Sequence, residues 1–175
     1  ELRGLRRRLP CGSYFRRIKN QKLRREKFRA LILNLNADFN RGKHGNCNML
    51  TLEDLLISDY KIYQDDELYR FTSDAVLLSR FTTAKKGEVV ADFCAGSGIV
   101  GLNFYALNEK NVESVTLIEL QKPLSELSEK TIEYNRLTDK FTAVCEPLQT
   151  AAEKFKNKFT LVLCNPPFIK KGAGY

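Results

Sequence analysis

A single histidine, His44, and five cysteines without a C-x-x-C pair exclude the usual zinc patterns. The odd cysteine number (Cys11, Cys47, Cys94, Cys145, Cys164) also argues against a disulfide framework. Cys94, Cys145 and Cys164 lie in or at the ends of apolar runs, where reduced cysteine is expected to act as a small hydrophobe. No apolar run approaches the roughly 18 residues needed to cross a bilayer, and the start lacks the apolar stretch of a secretory signal. Ser13 is the only serine before position 49, unlike the serine-rich habit of transit peptides. The expectation is a cytoplasmic protein with no membrane partner.

What is present is unevenly spread. The net charge of +8 resembles a nucleic-acid signal until it is divided along the chain. Residues 1–48 hold 14 basic against 3 acidic side chains, and residues 49–175 hold 15 against 18. The basic character therefore belongs to the leader. Phe28, Leu31, Ile32 and Leu35 could form one stripe of a helix between Leu23 and Leu35, but two turns are marginal alone. Residues 1–48 are thus read as a basic extension, disordered or partly helical, able to grip RNA phosphates. Met49, the only methionine, opens a different pattern with Leu50, Leu52, Leu55, Leu56 and Ile57, and is a candidate start.

From Gly87 onward strands and helices alternate, which predicts an α/β fold with a parallel sheet. Strands are expected at Val89–Cys94, Val115–Glu119, Phe141–Cys145 and Thr160–Cys164. Helices are expected at Ile99–Leu107, from Pro123 to about Leu137, and briefly after Pro147. The run Asp92-Phe93-Cys94-Ala95-Gly96-Ser97-Gly98 joins the first strand to the first helix. Glycines there let the backbone approach a ligand that a Cβ would push away. Glu119 ends the second strand about 20 residues later, a spacing that suits an acid receiving a ribose diol. A dinucleotide could use the same pair, so the two features leave the cofactor open.

The fourth strand is more specific, because it ends on Asn165-Pro166-Pro167-Phe168. Two prolines fix φ and remove two N–H donors, leaving carbonyl acceptors in a rigid arrangement. The Asn165 side-chain oxygen and a neighbouring carbonyl can accept both hydrogens of a planar –NH2 group. Holding that nitrogen pyramidal exposes a lone pair otherwise delocalised into a ring. Phe168 would stack on the flat face of the base, a contact worth roughly 1–3 kcal/mol.

These motifs resemble the amino-group methyltransferases of the small methyltransferase domain class, and most closely the bacterial tRNA(Val) adenine-N6-methyltransferases. Leu52-Glu53-Asp54-Leu55-Leu56, Ile62-Tyr63-Gln64, Phe71-Thr72-Ser73-Asp74-Ala75-Val76-Leu77-Leu78 and Lys170-Lys171-Gly172 carry the likeness further. It covers about residues 50–175. The resemblance implies a class I, Rossmann-like fold, S-adenosylmethionine as cofactor and tRNA or another RNA as partner. It implies that Ala95, Gly96 and Gly98 line the cofactor, and that Asp92, with Thr72 and Asp74, lies at its methionine end. Glu119 would bind the ribose, and Asn165, Pro166, Pro167 and Phe168 would hold the target base. Cys94 stands where many members have a first glycine, and Glu146 where an aspartate usually meets the adenine. Class I members generally have seven strands, so residues 49–175 are expected to be the amino-terminal part of such a domain, about four of the seven.

Two rivals share the motif: a protein-glutamine N5-methyltransferase and an rRNA guanine-N2-methyltransferase. A rival of another class is a non-catalytic fragment that binds RNA through its leader, which would show steep salt dependence without cofactor binding.

Overall fold

The computed structural model describes residues 50–55 and 57–167. The helix expected between Leu23 and Leu35, the boundary at Met49, Phe168 and Lys170-Lys171-Gly172 lie outside the described residues.

Four parallel strands form the central sheet: β3 (Glu88–Phe93), β4 (Val112–Glu119), β5 (Phe141–Cys145) and β6 (Leu161–Cys164). Their order is β5-β4-β3-β6. Strands buried on both faces read as continuous apolar runs, and Val90, Ala91, Val115, Leu117, Ile118 and Leu163 all lie in the core. Helix α2 (Ile99–Asn108) follows β3, α3 (Lys122–Tyr134) follows β4, and α4 (Leu148–Lys154) follows β5. The alternation expected from Gly87 onward is therefore present, with ends shifted by a residue or a few.

Residues 99 to 106 of α2 are all buried. The helix can lie this close to the sheet because Gly101 has no side chain. A Cβ there would come within 2.6 Å of Leu117 Cδ2. Helix α3 instead buries one stripe, Leu124, Leu127, Ser128, Thr131 and Ile132, and exposes Glu126, Glu129 and Lys130. Tyr105 on α2 meets Phe141 on β5 edge to face, with centroids 5.1 Å apart, a favoured geometry for aromatic pairs.

Ahead of the sheet stands an antiparallel hairpin, β1 (Leu50–Asp54) and β2 (Lys61–Asp65), then the short helix α1 (Ser73–Leu78). The hairpin was not legible as such. Leu50 and Leu52, which drew attention in the sequence, are exposed, while Ile62 and Gln64 are buried. The free edge of β2 is closed by side chains of α3 and its C-terminal cap. The Tyr63 N–H donates to Thr131 Oγ1 at 3.1 Å. Asn135 accepts from the Lys61 N–H at 2.9 Å and donates to the Lys61 carbonyl at 2.7 Å.

Candidate functional site

The chain turns back on itself across β3. The next strand in sequence, β4, lies on one side of β3, while β6 lies on the other. A crevice at such a switch point, outside the carboxyl ends of the strands, is where open α/β sheets bind ligands. The Asp92–Gly98 turn and Asn165 both meet this edge.

Cys94, Gly96 and Gly98 all have left-handed backbone, with φ of 59°, 57° and 89°. This conformation costs an L-residue roughly 1–2 kcal/mol, the physical reason glycine is favoured at all three positions. The turn is pinned from several sides. The buried Ala95 donates its N–H to the Ile118 carbonyl at 3.1 Å. The Gly96 N–H donates to Glu119 Oε2 at 2.8 Å, and Ser128 Oγ donates to the Gly96 carbonyl at 2.9 Å. Gln64 Nε2 donates to Ser97 Oγ at 2.7 Å.

Glu119 receives the Gln121 N–H on Oε1 at 2.8 Å as well. Each carboxylate oxygen therefore takes one main-chain N–H and keeps a second acceptor position. A Cβ added at Gly96 meets nothing within 4 Å, whereas one at Gly98 would lie 2.8 Å from Leu117 Cδ1. A side chain at Gly96 would thus enter open space, while the packing constraint sits at Gly98. This is the shape expected of a turn that a nucleoside ligand approaches, so the cradle fits the cofactor expected from sequence.

Asp92 is wholly buried at the end of β3. Its Oδ2 accepts the Gly101 N–H at 2.8 Å, and so caps the first turn of α2, whose own N-cap, Gly98, has no side chain to do it. Oδ1 has no hydrogen-bond partner among the described residues. Burial pushes the Asp92 carboxyl up to about 7, the Gly101 hydrogen bond opposes this, and the nearby Glu119 charge adds to it. Between roughly pH 4 and 7 the folded chain thus holds a proton that the unfolded chain releases. Stability from this group is highest on the acid side and falls as pH rises through that window. The D92N variant keeps an acceptor for Gly101 without the buried charge. Its melting temperature relative to wild type should rise from pH 5 to pH 8, and a difference independent of pH would contradict this account.

The other sequence-identified residues are dispersed around this centre. Thr72 is the N-cap of α1 and Asp74 lies in its first turn, both exposed. Glu146 follows β5 and pairs through Oε1 with Lys154 at 2.7 Å. Asn165 is half-buried, and Pro166 and Pro167 are exposed. Phe93 pairs with Cys164 in the β3–β6 register, so the chain leaves the two adjacent strands at the same level, into Cys94 and the glycine turn from one and into Asn165 from the other.

The cysteines depart from expectation. Cys145 and Cys164 are exposed and Cys94 is half-buried, because they sit at the strands' open ends and not in the core. Burial, with Cys164 nearby, pushes the Cys94 thiol up to about 11. Desolvation raises Cys164 too. Both are thiols at neutral pH, so neither is poised as a nucleophile. Gln64 went unread as a site residue: nothing periodic marks a glutamine between Tyr63 and Asp65, although Ile62-Tyr63-Gln64 belongs to the resemblance.

Comparisons with known proteins bear on the family and the fold. The release factor glutamine methyltransferase of Clostridium botulinum is 32% identical over 88 residues, covering 50% of this chain and 30% of the relative. The tRNA1(Val) (adenine(37)-N6)-methyltransferase of Shewanella sediminis is 30% identical over 106 residues, covering 58% of this chain and 42% of the relative. The chain thus spans less than half the length of either. Trm5 of Methanocaldococcus jannaschii, solved in complex with adenosine, superposes with a TM-score of 0.54 at 20% identity, over 71% of this chain and 37% of that one, a likeness of fold. Among the described residues no helix is long and apolar enough to cross a membrane, and no cluster of His, Cys, Asp and Glu could hold a metal ion. Residues 60–174 match the family model of the methyltransferase small domain; the chain belongs to this family, whose methyl donor is S-adenosylmethionine.

Proposed function

We propose that the protein transfers a methyl group to an exocyclic amino nitrogen, adenine N6 of a tRNA, in the cytoplasm. The observation that carries this reading is the β3–β6 register, in which Phe93 pairs with Cys164, so that the glycine turn and the Asn-Pro-Pro segment start from the same level of adjacent strands. Donor and acceptor sites then share one crevice, and orienting two reactants in line is itself a large part of catalysis.

In this reading Gly96 and Gly98 line the donor, and Glu119 receives the ribose hydroxyls on its two remaining acceptor positions. Asp92 supports the methionine end from beneath the turn by fixing the start of α2. Thr72 and Asp74 border that end, and Glu146 lies toward the adenine. The bound donor supplies an electrophilic methyl. Asn165 Oδ1 and a neighbouring carbonyl accept the two amine hydrogens, and Pro166 and Pro167 keep competing N–H donors away. Phe168 stacks on the base.

A glutamine amide presents the same –NH2 group, and one of the two relatives described above acts on it. The adenine reading is favoured by four tRNA1(Val) (adenine(37)-N6)-methyltransferases, each matching 58% of this chain. The test offers the intact protein and radiolabelled donor to total tRNA and, separately, to a release factor. Label recovered from tRNA as N6-methyladenosine is expected. Label confined to a glutamine of the release factor, or found in neither substrate, would overturn the adenine assignment.

A further inference from the structure

We propose that Gln64 is a positioning residue for the methyl donor, holding the Gly96–Gly98 turn through the Ser97 hydroxyl. The inference rests on the function proposed above and assigns a role to a residue outside the glycine and Asn-Pro-Pro motifs.

Gln64 is 1% exposed, in the second strand of a hairpin that is not part of the central sheet. A buried amide is costly unless its polar atoms find partners, and this one finds three. Nε2 donates to Ser97 Oγ at 2.7 Å and to the Tyr63 carbonyl at 3.0 Å. Oε1 accepts the Phe71 N–H at 3.3 Å. That last bond fixes the amide's orientation, since a main-chain N–H can only donate, so it is the –NH2 end that faces Ser97.

Two of the three bonds reach other parts of the chain. Ser97 is the residue between the two glycines and is itself 3% exposed. Phe71 immediately precedes Thr72 and the start of α1. One side chain therefore fixes both the glycine turn and the segment entering α1, the two stretches that border the donor's methionine end. Glu119 and Ser128 hold Gly96 from the β4 and α3 side. Gln64 holds the next residue from the hairpin side. With left-handed backbone at Gly96 and Gly98, the turn has more freedom to wander than other residue types would allow. A clamp on the intervening serine restricts it to the donor-binding geometry before the donor arrives, which lowers the ordering cost of binding.

Two variants test this in the full chain. Gln64→Met has nearly the same length but leaves Ser97 Oγ and the Phe71 N–H without their partner. Ser97→Ala removes the other end of the same bond and leaves Gln64 on Tyr63 and Phe71. Calorimetry with S-adenosylhomocysteine, run well below each melting temperature, should show each variant weakened on the order of tenfold, the equivalent of one buried hydrogen bond. The double variant should be no weaker than the worse single, because both remove one contact. A purely structural glutamine would lower the melting temperature of Gln64→Met and leave the affinity of folded Ser97→Ala unchanged. That result, or additive losses in the double variant, would overturn the inference, and Ser97→Ala decides alone if Gln64→Met does not fold. A wild-type chain that fails to bind S-adenosylhomocysteine would instead refute the function on which the inference rests.

Discussion

Asn165→Ala should reduce the single-turnover rate of methyl transfer by about 10²–10³-fold, the usual consequence of deleting one preorganised polar group aimed at a reacting centre. The affinity for S-adenosylhomocysteine should stay within about threefold of wild type, since the role proposed for Asn165 is to hold the acceptor amine in the transition state and not to bind the donor. Asn165 follows the end of β6, and its neighbours Pro166 and Pro167 are exposed. The substitution therefore leaves the sheet's core untouched. Rapid-mixing measurements with tRNA and labelled donor, paired with calorimetry, separate the two quantities. A variant that turns over near the wild-type rate would remove Asn165 from the proposed chemistry, and parallel losses of rate and donor affinity would assign it to cofactor binding.

The two glycines of the turn should respond in opposite ways to the same substitution. At Gly98 an alanine Cβ would lie 2.8 Å from Leu117 Cδ1 and 3.4 Å from Ser128 Oγ, on a backbone with φ of 89°. Overpacking of this kind costs about 1–3 kcal/mol, and left-handed backbone adds about 1–2 kcal/mol. The total is a large share of the roughly 5–15 kcal/mol that stabilises a domain. Gly98→Ala should therefore lower the melting temperature steeply. At Gly96 the added Cβ meets no protein atom within 4 Å, so only the backbone penalty applies to the fold. If the proposed donor site is right, the methyl group would occupy the donor's space, and binding should fall tenfold or more while most of the stability remains. Melting curves and calorimetry on both variants check the contrast. Equal loss of stability at the two positions would mean that the space at Gly96 is not a ligand cradle.

The parallel sheet was legible because strands buried on both faces leave unbroken apolar runs, such as Val89-Val90-Ala91, and because helices begin right after the glycine turn. Glu119 could be singled out by its spacing from the turn, and the Gly96 N–H of that turn donates to it. The hairpin was hidden for the opposite reason. Its inward face carries a glutamine, Gln64, and its outward face carries Leu50 and Leu52, so alternation of hydrophobicity points the wrong way. The cap that Asp92 provides to α2 could not be read either, because it joins residues nine apart through a turn whose shape no periodicity encodes. Cys145 and Cys164 misled because an apolar run does not reveal which of its residues lies past the last buried position.

Thr131 and Asn135 have a further consequence for the hairpin. A strand edge with unpaired amides is a template on which another chain can add, the first step of many aggregation routes. Here side chains of α3 and its cap occupy the Lys61 and Tyr63 amides and the Lys61 carbonyl. The helix serves as the neighbour a third strand would otherwise supply. Because α3 also packs beside β5, this edge is covered only once helix and sheet have come together. Until α3 docks, the Lys61 and Tyr63 amides are open to another chain, and docking closes this one edge.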